Sequence, residues 1–287
     1  MQFDEEKLIK SPFNYIGGKY KLLPQILPLF PKEIDNFVDL FAGGCNVGLN
    51  VTANKIICND INGFIIDFYN TVKTLEKEKI ITYIDNRIKE YKLDNKNKEG
   101  FLDLRTVYNQ TKYPLDLYVL SCYSFSHSIR FNNKHEFNES FGHRRFNKNL
   151  RERLIMFLDL IKEKNIEFMC ADYLDFNAVV LDENDFVYID PPYLLSTVSY
   201  TEGKRGFKGW NLDEEHKLLQ YIDNVHSKGI RFALSNVIAN KDMKHDVLID
   251  WAKNYHTHYL NIDYKNSFFS KKDTKSDTTI EVLITNY

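Results

Sequence analysis

DFVYIDPPYL, residues 185–194, runs four apolar residues straight into an acid, two prolines and a tyrosine. Phe186, Val187, Tyr188 and Ile189 read as a strand buried in a sheet. Proline has no N–H to give a ladder, so the strand ends at Asp190. The sequence therefore sets an acid, two donor-less residues and an aromatic ring at the mouth of a sheet. What lies on either side decides what that mouth is for.

Outward from this stretch, strands and helices alternate in two separated blocks. In the first, NFVDLFAGG (36–44) reads as a strand opening into a glycine turn, and NKIICND (54–60) as a second strand ending in an acid. In the second, IEFMCADY, DFVYID and IRFALSN read as strands, with a helix over 213–229 whose Leu218, Ile222 and Val225 share one face. Gly229 suits the end of that helix. The closing segments HTHYLNIDYK and TTIEVLITNY, joined by the polar loop NSFFSKKDTKSD, read as an antiparallel pair. Between the blocks, residues 62–128 repeat apolar side chains at helical steps, and a polar, basic stretch (129–149) precedes another helix at 150–164. The expected fold is an α/β sheet, Rossmann-like, with a terminal antiparallel strand pair. A mostly helical insertion interrupts it.

Composition narrows the function. The chain has 287 residues, 43% of them hydrophobic, enough for a large core. Net charge is −2, so nucleic-acid binding needs a local basic patch. Cys45, Cys58, Cys122 and Cys170 are scattered without CxxC spacing, which points to reduced thiols rather than a disulfide frame or zinc site. The eight histidines show no metal-ligand spacing. The opening MQFDEEKLIK lacks an apolar segment, so no signal peptide is expected, nor any membrane span. The expected compartment is the cytoplasm, and no metal is expected.

Three further segments carry chemistry. Asp39-Leu40-Phe41 opens into Ala42-Gly43-Gly44, where glycine lets a ligand approach the main chain; a plain strand-to-helix turn reads equally well. Asp60 ends the next strand, and its two oxygens suit a ribose diol, though an N-cap acid has the same appearance. Asp172, beside Tyr173 in CADYLDF, could accept from an exocyclic amine or simply form a turn. GK[ST] is absent after the glycines, so nucleotide hydrolysis is disfavoured.

The DPPY tetrapeptide suits one difficult step. An amine on an aromatic ring is a poor nucleophile because its lone pair is delocalised. Two acceptors aimed at its N–H bonds favour pyramidal nitrogen and localise that pair. The Asp190 carboxylate supplies one and the Pro191 carbonyl the other. Pro191 and Pro192 lock φ and so fix that carbonyl's direction before charge develops. Tyr193 offers a face on which a planar base can stack.

With these segments in this order, the sequence resembles the Dam-type adenine-N6 DNA methyltransferases of the α, DPPY group, over nearly the whole chain. SPFNYIGGKYKLLPQILPLFP resembles the family's N-terminal motif, with Tyr15 where tryptophan is common. The resemblance implies S-adenosylmethionine as cofactor. Tyr15, Lys19, Asp39, Phe41, Gly43, Gly44, Asp60, Asp172, Tyr173 and Asp190 would hold it, and Asp190 with Pro191, Pro192 and Tyr193 would carry the reaction. It also implies a catalytic domain made of 1–61 and 150–287, and a target-recognition domain of 62–149 carrying a hairpin.

The segment SIRFNNKHEFNESFGHRRFNKN resembles that hairpin. Residues 129–153 hold seven Lys/Arg against three Glu, an excess of four positive charges facing double-stranded DNA. The DNA-contacting residues implied are Arg130, Phe131, Asn132, Asn133, Lys134, Asn138, Arg144 and Arg145. Phe131 would be a wedge filling the place of a flipped adenine, with Asn132 beside the orphaned base. GATC is the target the resemblance brings with it. Three positions depart from the pattern: Lys134 stands where an Arg is common, His135 replaces Gly, and Glu139-Ser140 replaces a small apolar–Pro pair. Lysine cannot fork bidentately onto guanine as arginine does. The polar loop 196–211 reads as a segment that closes over the flipped base and touches DNA, and equally as an ordinary surface loop. A monomer and a cognate restriction endonuclease are the expected assembly and partner, in a bacterium or phage. The alternatives are an N4-cytosine methyltransferase, a glutamine-directed protein methyltransferase and a non-catalytic DNA-binding subunit of the same fold.

Overall fold

The computed structural model describes residues 8–176, 181–196, 209–261 and 279–287. Its strands are β1 (Asn36–Asp39), β2 (Lys55–Asn59), β3 (Ile166–Met169), β4 (Phe186–Ile189), β5 (Arg231–Asn240), β6 (Met243–Lys244), β7 (His256–Leu260) and β8 (Thr279–Thr285). The sheet runs β3-β2-β1-β4-β5-β8-β7, with the short β6 beside β5. β3, β2, β1, β4 and β5 are parallel, and β8 enters antiparallel to both β5 and β7. The mixed α/β sheet and the antiparallel closing pair agree with the expectation from sequence. Strand order reverses between β1 and β4, because β1 leads to β2 on one side while β4 lies on the other. Ligands bind at such switch points, outside the carboxyl ends of the strands.

Period-two alternation sorts the strand side chains onto two faces. Phe37, Phe186 and Tyr188 join one core; Val38, Val187, Ile189, Phe232 and Leu234 join the other. The first face is covered by α3 (Gly63–Thr74) and α7 (Lys148–Glu163), with the short α1 (Leu23–Ile26) and α2 (Asn46–Asn50) on the same side; the second is covered by α8 (Leu212–Ser227) and α9 (Asp246–Ala252). α8 ends as its sequence suggests: Gly229 has φ +75°, and the N–H of Ile230 reaches back to the Val225 carbonyl. α9 and β6 have no counterpart in the expectation from sequence.

α4 (Lys77–Glu90), α5 (Lys98–Thr111) and α6 (Pro114–Tyr123) build the helical segment. α6 is buried from Leu115 to Tyr123, so it has no polar face and serves as the segment's centre. Its buried Asp116 takes both ends of the Arg87 guanidinium at 2.8 and 2.9 Å. That fork keeps a desolvated carboxylate paired, without which it would be strongly destabilising. The apolar core of this segment is continuous with the first face of the sheet. The link is α3: Tyr69 stacks on Phe168 of β3 with centroids 4.9 Å apart.

Among the described residues, no helix is long and apolar enough to cross a membrane. Most of the loop expected to close over the base, and the loop joining β7 to β8, lie outside the described residues.

Candidate active site

The N-terminal motif and the glycine turn meet at the mouth of β1. Gly43 has φ +47°, a conformation that disfavours any side chain, and a Cβ there would stand 2.8 Å from the Tyr15 ring. Tyr15 thus packs directly on the turn that Gly43 and the buried Gly44 make. Asp60, at the end of β2, holds that turn in place. One of its oxygens accepts from the Gly43 N–H at 2.8 Å and the other from the Asn62 N–H at 2.8 Å. Asn62, not Asp60, is the N-cap of α3. Two of the carboxylate's roughly four lone-pair positions are thereby used. Burial raises its pKa, and the two N–H donors oppose the rise.

Asp190 lies across the switch point. Its Oδ1 is 2.8 Å from Lys19 Nζ and 3.0 Å from the Tyr193 hydroxyl. Lys19 also donates to the Gly17 carbonyl at 2.8 Å, so the GGK turn points its ammonium at the DPPY acid. Burial raises the Asp190 pKa, while Lys19 and the tyrosine hydroxyl pull it down. Tyr193 differs from the sequence reading. Its ring lies under the Lys19 ammonium, 4.7 Å from centroid to Nζ, and its hydroxyl bridges Asp190 and Glu281. The half-buried ring is thus tied into the acid cluster.

Asp39 is 2% exposed and accepts from the Gly48 N–H at 3.2 Å. Desolvation pushes its carboxyl up to about 8, and Asp190 and Asp60 add to the rise. Asp190 and Glu281 thus flank one lysine, with the acids Asp39 and Asp60 buried at the neighbouring strand ends, an acidic surround suited to a cationic ligand. Beside them is a mainly apolar pocket, lined by Leu40, Phe41, Ile61, Ala171, Asp172, Tyr173, Pro192, Gly209, Trp210 and Glu214. Its walls follow the carboxyl ends of β1, β2, β3 and β4 in turn. Asp172 accepts from the Leu174 N–H at 3.0 Å, capping a single 3-10 turn, and still borders the pocket. Among the described residues, no group of three or more His, Cys, Asp or Glu side chains is placed to hold a metal ion.

Residues 15–268 match the model of the D12 class N6 adenine-specific DNA methyltransferases. The chain belongs to this family. It is 51% identical over 281 residues to the Type II methyltransferase M.FokI of Planomicrobium okeanokoites, covering 97% of this chain and 43% of that protein. It is 47% identical over 286 residues to the modification methylase StsI of Streptococcus sanguinis, covering 98% and 43%. A DNA adenine methylase of Vibrio cholerae is 27% identical over 275 residues, covering 94% and 93%. The chain therefore spans less than half the length of the first two.

The hairpin of this D12 family member folds on itself. Phe131 and Phe137 pair across it, and the Asn132 N–H reaches the Glu136 carbonyl at 2.9 Å. Phe131, expected as a wedge, is 2% exposed and stacks on Phe64 of α3, with centroids 4.3 Å apart. Asn132 closes the tip: its Oδ1 accepts from the N–H groups of Lys134 and Glu136, and its Nδ2 donates to the Glu136 carboxylate. Asn133 and Lys134 are exposed at the tip. Arg130 donates to Asn138 within the hairpin. The basic run is also split. Arg153 turns inward and donates to the Ser11 and Phe13 carbonyls, bracing the N-terminal motif, and Arg151 pairs with Asp85. Arg144 and Arg145 are exposed beside a polar cleft that they line with Asn95, His127, His143 and Asn147.

Sequence reasoning missed Glu281 and Trp210. Glu281 sits within the otherwise apolar β8 and is 4% exposed. It accepts from Tyr193 at 2.8 Å and lies 3.6 Å from Lys19. The signal available was a single acid inside EVLIT, which strand alternation alone leaves facing solvent. Trp210 closes a polar Gly- and Lys-bearing loop, where nothing distinguishes a pocket wall from a surface ring.

Proposed function

We propose that this chain transfers a methyl group from S-adenosylmethionine to N6 of an adenine turned out of duplex DNA. One observation carries the reading. Asp190 stands at the strand-order reversal, paired with the lysine of the GGK turn and two residues before Pro192, which lines an apolar pocket built on successive strand ends. Its contacts among the described residues fall on Oδ1, which leaves Oδ2 to accept from an amine.

The site's residues fit the cofactor: the carboxylate cluster suits a cation, the aromatic pocket suits adenine, and Asp60 retains acceptor positions for a ribose diol. When bound, the cofactor supplies a methyl group made electrophilic by a sulfonium. Asp190 and the Pro191 carbonyl orient the target amine and stabilise the positive charge that grows on it. Lys19 and Tyr193 hold Asp190 in place. Tyr15, Phe41, Gly43 and Gly44 shape the backbone against which the cofactor lies, and Asp39, Asp172 and Tyr173 complete its walls.

In this reading 1–61 and 150–287 form the catalytic part and 62–149 the target-recognition part. Turning a base out of the duplex costs a few kcal/mol. Phe131 must leave its stack on Phe64 to act as the wedge. Asn133 and Lys134 at the hairpin tip are the base readers, within GATC or another site, and Arg130, Asn138, Arg144 and Arg145 serve the backbone. Relatives named as a Type II methyltransferase and a modification methylase support a restriction–modification setting. A cognate endonuclease is then the partner, the chain works as a monomer, and its compartment is the bacterial cytoplasm.

The test is transfer of label from tritiated S-adenosylmethionine to duplex DNA, followed by nucleoside digestion. The reading expects label in N6-methyladenine. Label in N4-methylcytosine would favour the cytosine alternative, and no incorporation into any duplex would favour a DNA-binding subunit. Mapping methylated adenines after expression in an unmethylated host gives the target sequence.

A further inference from the structure

The pocket at the strand ends has one wall that no motif supplies. Trp210, immediately before α8, is 7% exposed. Its ring centroid lies 5.9 Å from Phe41, at 84°, and 6.2 Å from Tyr173. Leu40, Ile61 and Pro192 complete a slot with these three rings. Ile61 directly follows Asp60, so the slot begins where a ribose held by that carboxylate would present its base. Aromatic edges and faces at these separations suit a planar heteroaromatic ring.

The indole is also fixed in direction. Its Nε1–H donates to Glu215 Oε2 at 2.7 Å. Glu215 has no solvent exposure and lies in the first turn of α8, where the helix dipole favours a negative charge. Its other oxygen accepts from Asn236 Nδ2 of β5 at 3.1 Å and lies 3.1 Å from His245 Nε2. The Leu248 N–H donates to His245 Nδ1, which holds the imidazole beside Glu215. A fully desolvated carboxylate is unfavourable unless its oxygens are satisfied. Here donors from the Trp210 segment and from β5 take one oxygen each, with His245 of the α9 cap packed alongside. The carboxylate that directs the indole is thereby itself anchored to the sheet.

We propose that Trp210 is a cofactor-contact residue whose indole walls the slot for the adenine of S-adenosylmethionine. Glu215 is its positioning residue, acting through the Nε1–H. The inference rests on the methyltransferase reading above.

The chain has two tryptophans. The second, Trp251 on α9, packs against Phe232 and Tyr255, away from the slot. In a Trp251→Phe background, Trp210 emission is followed while S-adenosylhomocysteine is titrated, with calorimetry in parallel. The expected result is an emission change that saturates with the heat signal. Trp210→Ala weakens cofactor affinity about tenfold. Glu215→Ala weakens it as well, and Glu215→Gln, which keeps an acceptor for the indole, restores it. A merely structural Glu215 would not give that rescue in cofactor affinity between equally folded variants. Normal heat with unchanged Trp210 emission, and unchanged affinity in Trp210→Ala, would overturn the inference while the function stands. Absence of any cofactor binding by the unsubstituted chain would overturn the function reading and this inference with it.

Discussion

The strand ends and the recognition hairpin use their polar groups in opposite ways. At the strand ends, Asp60 and Asp190 are anchored through some of their lone pairs, and in the proposed function the others meet a ligand. In the hairpin, Asn132 and Arg130 turn their side chains back onto the hairpin itself, and Phe131 fills its core. The first region is set up to receive something without moving. The second has to open contacts it already makes, or to use only the side chains left outside. Rigid pre-placement favours chemistry; a segment whose contacts can be exchanged suits selection among DNA sequences.

The largest effect that would break this contrast is at Asp190. Asp190→Ala is expected to lower turnover about a thousandfold, the scale of losing a pre-placed electrostatic partner. Duplex affinity in a gel-shift titration should be kept. Near-normal turnover would show that the strand-end acid is not the group that receives the amine.

Phe131→Ala tests the other side. Removing a buried aromatic ring costs about 3–5 kcal/mol, so the melting temperature should fall. If stability falls but site preference and a base-flipping fluorescence signal are unchanged, the ring is a support and not a wedge. Glu281→Gln sharpens the first region. It keeps an acceptor for Tyr193 and removes a charge, so kcat should drop about ten- to a hundredfold with cofactor affinity little changed. Unaltered kcat would make Glu281 a packing residue.

Arg144→Ala with Arg145→Ala asks whether the exposed pair meets phosphate. The slope of log affinity against log salt should flatten by about 0.9 for each phosphate that the double variant no longer neutralises. An unchanged slope would remove the pair from the DNA face. A pH titration of stability tests Asp39. Burial raises its carboxyl from 3.8 to about 8, so the fold favours the protonated form. That contribution to stability is complete below the lower value and is lost as pH rises through the upper one. Melting temperature should therefore fall over this interval less steeply in Asp39→Asn than in the unsubstituted chain.

Much of the strand-end region was legible because backbone chemistry marks it. Gly43 is required by a left-handed turn under Tyr15, and Pro191-Pro192 by a strand that must stop at Asp190. The pairing of Lys19 with Asp190 joins positions far apart in the chain; the resemblance put both in the cofactor site, and the structure shows the contact between them. Glu281 and Trp210 were not legible, because their partners lie 88 and 169 residues away and no local spacing records them. Charge counting misled at Arg153, which braces two carbonyls in the interior. The stack of Phe131 on Phe64 was not legible either, since a sequence does not distinguish a ring placed for solvent from one packed on a distant partner.

Helix α3 leaves one further consequence. Near its start Phe64 lies flat against Phe131, and one and a half turns on the Tyr69 hydroxyl donates to the Gly43 carbonyl at 3.0 Å. A single rigid rod is thus attached at one point to the hairpin and at another to the glycine corner. Whatever displaces either end is transmitted to the other, and thermodynamic linkage makes any such coupling the same in both directions. Affinity for methyl donor and affinity for duplex would then be two readings of one spring.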